Sequence, residues 1–145
     1  MKLAYTIVLS AALMIRPAFA AQTQEGPVAS LPAEKIAGQV RYVTGGVGRE
    51  EADAFRQAQR DYSLALEFGN QATPRAQFTA GVNVLIRDAR GSTVLEAISD
   101  GPFLLAKLPA GRYTIRATQN GKTLDRVATV AGGKSTHVAF LWPDE

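Results

Sequence analysis

Arg112-Tyr113-Thr114-Ile115-Arg116-Ala117-Thr118-Gln119-Asn120-Gly121-Lys122-Thr123-Leu124-Asp125-Arg126-Val127-Ala128-Thr129-Val130 is the stretch on which the fold turns. Tyr113, Ile115 and Ala117 alternate with Arg112, Thr114 and Arg116, the period of a strand with one face toward a core and one toward water. Asn120 and Gly121 tolerate positive φ at both positions and favour a two-residue type I′ turn between antiparallel strands. The second arm is less regular. Leu124, Arg126, Ala128 and Val130 share one parity while Val127 takes the other, which a β-bulge near Asp125 or Arg126 would reconcile.

The same grammar continues on both sides of this hairpin. Short β-rich runs cover residues 62–68, 82–88, 93–99, 103–108 and 135–142, bounded by Asp88-Ala89-Arg90-Gly91, Ser99-Asp100-Gly101-Pro102, Pro109-Ala110-Gly111 and Gly132-Gly133. With the two arms of the hairpin they make about seven strands without intervening helices, the signature of an antiparallel sandwich or barrel. Upstream, residues 49–60 carry Ala52, Phe55 and Ala58 at helical spacing, with acids in the first turn and an arginine in the last, as the helix dipole favours. Residues 36–44 support a short strand with Val40 and Tyr42 on one face, ended by Gly45-Gly46-Val47-Gly48. Residues 21–35 are polar, hold Pro27 and Pro32, and read as a flexible leader.

The N-terminus carries an export signal. Lys2 precedes an apolar run over residues 3–15, and Ala18-Phe19-Ala20 supplies small side chains for cleavage after Ala20, with Arg16 in between. The expected domains are residues 1–20 as signal peptide, 21–35 as leader, 36–61 as strand, joint and helix, and 62–142 as the sandwich. Export places the mature chain in the periplasm or outside the cell, without stable membrane insertion after cleavage; the other reading is an uncleaved anchor, for which the run falls short of about 20 residues. Removing Lys2 and Arg16 turns 16 basic and 13 acidic residues into 14 and 13, so the basic whole-chain balance is no evidence for nucleic acid.

The chain has no cysteine, which excludes disulfides, thiolate metal sites and a cysteine nucleophile. A single domain of about 125 residues buries roughly two-thirds of its unfolded surface and stands without such staples. His137 is the sole histidine, and no serine lies in a Gly-x-Ser-x-Gly elbow. No catalytic group and no cofactor is expected. A metal or small-ligand site would need His137 together with turn aspartates such as Asp88 and Asp100, which otherwise bond their own backbone. Gly45-Gly46-Val47-Gly48 before a helix could cradle an anion, but no Gly-Lys-Ser/Thr follows it, and Glu50 and Glu51 oppose a phosphate there.

Asp100-Gly101-Pro102-Phe103-Leu104-Leu105-Ala106-Lys107-Leu108-Pro109-Ala110-Gly111-Arg112-Tyr113-Thr114-Ile115 resembles the D-G-x-F-x-x-x-x-L-x-x-G-x-Y-x-[VIL] core of carboxypeptidase regulatory-like domains. The likeness runs from about Gly81 to Trp142 and implies a transthyretin-like or immunoglobulin-like sandwich, mainly β, with one N-terminal helix. It further implies that Phe103 and Leu105 point inward, Leu108 plugs one end, and Tyr113 and Ile115 re-enter the core. It implies no chemistry, since such modules accompany many functions. The hydrolase Tyr-Arg-Gly-Ser ending of related transthyretin-like enzymes is absent, as is the His-x-x-Glu of the metallopeptidases that carry the module. The glycine joint followed by Glu50-Glu51 is similar to the front of small Gram-negative envelope proteins and implies a periplasmic home.

Three runs are apolar on both faces: Val84-Leu85-Ile86, Val94-Leu95 and Phe103-Leu104-Leu105. With Val84 and Ile86 inward, Leu85 faces out, joined by Leu95 or Leu104. Burying one leucine is worth about 2 kcal/mol, so such a row needs a cover. Phe55 on the helix is the internal candidate; a homodimer or an envelope protein is the external one. The remaining outer strand face carries Arg87, Arg112, Thr114 and Arg116, a basic surface for anionic envelope material or a solvated face that discourages edge pairing. The functional expectation is a non-catalytic module that binds or stabilises an envelope component, with a small-ligand or metal binder as the alternative.

Overall fold

A computed structural model describes residues 30–71 and 77–143; the residues 1–20 read as an export signal and most of those read as a leader lie outside the described residues. The chain runs β1 (Lys35–Ala37), β2 (Val40–Gly45), α1 (Arg49–Ala58), a 3₁₀ turn (Gln59–Asp61), β3 (Leu64–Gln71), β4 (Gln77–Phe78), β5 (Asn83–Arg87), β6 (Thr93–Ile98), β7 (Phe103–Lys107), β8 (Gly111–Gln119), β9 (Lys122–Val130) and β10 (Thr136–Pro143). Among the described residues these strands form two sheets, a first in the order β1-β2-β7-β3-β10 with β4 on β3, and a second in the order β6-β5-β8-β9. The architecture is the expected mainly-β sandwich with one helix. No described helix is long and apolar enough to cross a membrane.

Asn120 and Gly121 turn with φ of 48° and 75°, as a type I′ hairpin requires, and β8 and β9 pair without interruption from Gly111↔Val130 to Gln119↔Lys122. The bulge expected near Asp125 or Arg126 is therefore absent. Arg126 keeps its core-facing parity but sits on an edge strand, and its guanidinium lies over the Phe140 ring at 5.8 Å. A long aliphatic stem allows this, letting the planar guanidinium lie over the aromatic face while the residue stays exposed to water. The irregularity lies instead between β5 and β6, where Ile86 opposes Leu95 and Arg87 opposes Thr93. Val94 is the extra residue.

Two further expectations change. Residues 36–44 form two strands rather than one, a tight β1–β2 hairpin. One pair is parallel in a fold expected to be antiparallel throughout: β10 runs alongside β3 from Thr136↔Leu64 to Pro143↔Gln71. This pairing closes the sandwich beside β9, where Trp142 Nε1 donates to the Lys122 carbonyl at 3.0 Å and Thr136 Oγ1 to that of Thr129 at 2.9 Å.

The inter-sheet core gathers Leu64, Leu66, Phe68, Val84, Ile86, Leu95, Leu104, Ile115 and Phe140, with Leu108 and Tyr113 at its margin. Tyr113 donates its hydroxyl to the Pro109 carbonyl at 2.6 Å, which stitches the turn before β8. A second cluster lies outside the first sheet, where α1 sets Ala52 and Phe55 on Val43, Ala65, Phe103 and Leu105. Phe103 and Leu105 thus face the helix, not the sandwich interior. In β7 it is Leu104 and Ala106 that point inward, sharing parity with Leu108.

The glycines at the joint are needed for close approach. A Cβ on Gly101 would collide with the carbonyl of Gly45, and one on Gly46 with the Phe103 ring. Thr44 is buried between them; its hydroxyl donates to the Phe103 carbonyl at 2.8 Å and accepts the Asp100 N–H at 3.0 Å. Gly48, at φ 89°, starts α1 without a side-chain cap. Glu51 reaches back instead and accepts the Gly46 N–H at 2.7 Å. The backbone donor that could have cradled an anion is occupied by the helix's own carboxylate, placed where the dipole favours it.

Candidate functional site

The six residues expected to form an interaction surface divide into three places. Phe55 is fully buried under α1, stacked on Phe103 with ring centroids 5.7 Å apart and planes 13° from parallel. Leu95 and Leu104 lie in the inter-sheet core, 1% and 0% exposed, and take no part in any surface. Their apolar neighbours concealed this: the bulge at Val94 turns Leu95 inward, and pairing with Leu66 and Thr44 turns Leu104 inward. Leu85, Arg112 and Arg116 remain together on the outer face of the second sheet.

That face has defined chemistry. Leu85 stands directly across from Arg116 and from Glu96, and Arg116 from Asp125. Arg116 grips Asp125 through both ends of its fork, Nε to Oδ1 at 2.9 Å and Nη2 to Oδ2 at 3.3 Å. These hydrogen bonds hold the Asp125 carboxyl below its ordinary range. Both partners are about half exposed, so the pair orients the guanidinium more than it stabilises the fold. Ile98 and Val127 are 62% and 57% exposed on this face. A cleft of about 630 Å³ opens beside β6, lined by Leu85, Glu96, Ile98, Arg116 and Thr118 and reaching Lys35. Lys35 is itself tied to Asp100 at 2.7 Å.

His137 is exposed on the outer face of β10, opposite Ala65 in register. Asp88 accepts the N–H groups of Arg90 and Ser92 at 2.9 and 3.0 Å and so shapes its own turn, while Asp100 pairs with Lys35. Among the described residues no group of three His, Asp or Glu side chains is placed to hold a metal ion.

A network with no signature in the sequence lies at the end of β7. Tyr62 donates its hydroxyl to Glu34 Oε1 at 2.7 Å, and the Lys107 ammonium sits 3.4 Å from that oxygen and 5.0 Å above the Tyr62 ring. Residues 34, 62 and 107 have no spacing relation; only the β2-β7-β3 order unites them. Burial, followed by the hydrogen bond to Glu34, pushes the Tyr62 phenol up to about 12, and the same hydrogen bond lowers Glu34. In the unfolded chain tyrosine titrates near 10. The native state therefore binds the extra proton between pH 10 and 12, and this contribution, complete below pH 10, fades as pH rises through 12. Tyr62→Phe is expected to flatten that alkaline decline. Thermal unfolding of both proteins from pH 9 to 12 checks it, and parallel curves would exclude the linkage.

No protein-family model matches the chain and no curated protein sequence matches it, so its site is defined by its own residues.

Proposed function

We propose that the chain is an exported, non-catalytic sandwich module that binds another cell-envelope component through the outer face of the second sheet. The observation that carries this reading is the unequal covering of the two outer faces. α1 covers Val43, Ala65, Phe103 and Leu105 at the centre of the first sheet's outer face and, among the described residues, leaves only Ile36 and Leu141 exposed toward its edges. On the second sheet no described helix covers half-buried Leu85 or exposed Ile98 and Val127, which stand among Arg87, Arg112 and Arg116. Apolar side chains ringed by arginines are a composition that protein interfaces favour. The export signal and the likeness of residues 100–115 to carboxypeptidase regulatory-like domains support the compartment and the module class.

A photo-crosslinking amino acid at the position of Leu85 or Val127, in cells of a Gram-negative host, tests the reading. A discrete adduct from these positions, and none from the exposed helix position Gln57, is the expected outcome. No adduct, or equal adducts from all three, counts against it, and an adduct of twice the chain's mass points to self-association instead.

A further inference from the structure

The end of the sandwich at which β7 finishes holds a second cavity, about 350 Å³, remote in sequence from the surface proposed above. Three cations line it from three separate segments: Arg60 in the 3₁₀ turn, Lys107 at the end of β7, and Lys134 in the turn between β9 and β10. Lys107 is shared with Glu34, but Arg60 and Lys134 make no ion pair or side-chain hydrogen bond among the described residues. Among the described residues Asp61 is the one carboxylate in the cavity lining and pairs with neither, while Glu34 stands behind it on Lys107. Strand and helix periodicity do not bring positions 60, 107 and 134 together; the tertiary fold does.

The arrangement is held in place. Ser135 Oγ donates to the Gln59 carbonyl at 2.8 Å, locking the Lys134 turn to the end of the helical segment. The Tyr62 N–H, at 3.2 Å, uses the same carbonyl, so this partial negative charge at the helix end is already satisfied. Gly133 turns at φ 77°, a conformation that glycine adopts without strain, and no atom lies within 4 Å of where a Cβ would stand. Gly133 thus adds only backbone to the cavity wall beside Lys134.

Cations that the backbone gathers around a small concavity suit a compact anion: Arg60, Lys107 and Lys134 outweigh Asp61 on the rim and Glu34 beside Lys107, and a net positive charge is left. We infer that this cavity binds the phosphate group of a phosphomonoester or of a lipid headgroup. The inference is independent of the surface on the second sheet, and either can fail alone.

Amide NMR of the mature protein with inorganic phosphate tests it. Saturable shifts at Gly133 and Lys134 are expected, with affinity falling about tenfold or more in Arg60→Gln/Lys134→Gln. The control Arg49→Gln/Arg90→Gln removes two charges elsewhere and leaves affinity within about twofold. Both pairs are exposed, so each variant should fold. Shifts that never saturate, that survive the double substitution, or that weaken equally in the control overturn the site. Sedimentation with phosphatidylcholine vesicles, with and without phosphatidylglycerol, then separates the sources. Co-sedimentation that inorganic phosphate competes away supports a headgroup ligand. Phosphate saturation without co-sedimentation supports a soluble phosphomonoester.

Discussion

Phe55→Ala is expected to lower the free energy of unfolding by about 3–5 kcal/mol, the range for deleting a fully buried phenylalanine ring. Against a total of about 5–15 kcal/mol for a domain, that is a large share. The ring is 0% exposed and stacks on Phe103, and with Ala52 it holds α1 to Val43, Ala65 and Leu105. A helix of ten residues is too short to persist in water without tertiary contacts. Removing its anchor therefore loosens the whole lid and uncovers the outer face of β7. Phe55→Asp goes further, because an unpaired carboxylate in that shell must be desolvated or expel the helix. Gln57→Ala, on the exposed side of the same helix, should stay within about 0.5 kcal/mol. Urea unfolding followed by the fluorescence of Trp142, the sole tryptophan and 2% exposed, measures all three. A Phe55→Ala cost below about 1 kcal/mol would mean that α1 is not the cover.

Gly101→Ala is expected to cost about 2–4 kcal/mol, combining about 1–3 for overpacking with roughly 1 for a lost hydrogen bond. The new methyl would meet the Gly45 carbonyl, which is backbone and cannot rotate aside. Relief requires the end of β2 to part from the start of β7, where the Thr44 hydroxyl bridges the Phe103 carbonyl and the Asp100 N–H. Gly101 has no positive φ, so the effect is steric alone. Gly132 supplies the contrast: it too lacks a positive φ, and nothing lies within 4 Å of its Cβ position. Gly132→Ala should be neutral or stabilise by up to about 1 kcal/mol, by restricting the unfolded chain. Equal effects at the two glycines would show that backbone entropy, not the Gly45–Gly101 approach, governs both.

The regions legible in the sequence share a physical property. The period of two in Tyr113, Ile115 and Ala117, the positive-φ tolerance of Asn120-Gly121 and the helical spacing of Ala52, Phe55 and Ala58 act over a few residues. They declare themselves without knowledge of any neighbour. The outward direction of Arg87, Arg112 and Arg116 followed from the same alternation, but they share their face with Leu85 and do not lie on the opposite one, because Leu85 pairs directly with Arg116. Even the need for a cover over a doubly apolar strand was readable, because a row of exposed leucines is costly in water.

Which leucines needed covering was not readable. Phe103-Leu104-Leu105-Ala106 is apolar on both faces, so its own pattern cannot say which face is the core. A clue existed in Leu108: as the end plug of the interior it shares parity with Ala106 and Leu104, not with Phe103 and Leu105. Leu95 was hidden by a bulge at Val94, since one inserted residue reverses the parity beyond it.

Local chemistry in the sequence thus determined the seven main strands, their turns, the helix and the requirement that one sheet face be capped, but not the β1–β2 hairpin or β4. The tertiary structure alone decided that the capped pair is Phe103 and Leu105, that Glu34, Tyr62 and Lys107 form one network, and that Arg60, Lys107 and Lys134 ring a single cavity. Those outcomes depend on strand order and on register between distant segments, and no periodicity within a segment encodes which distant segment it will meet.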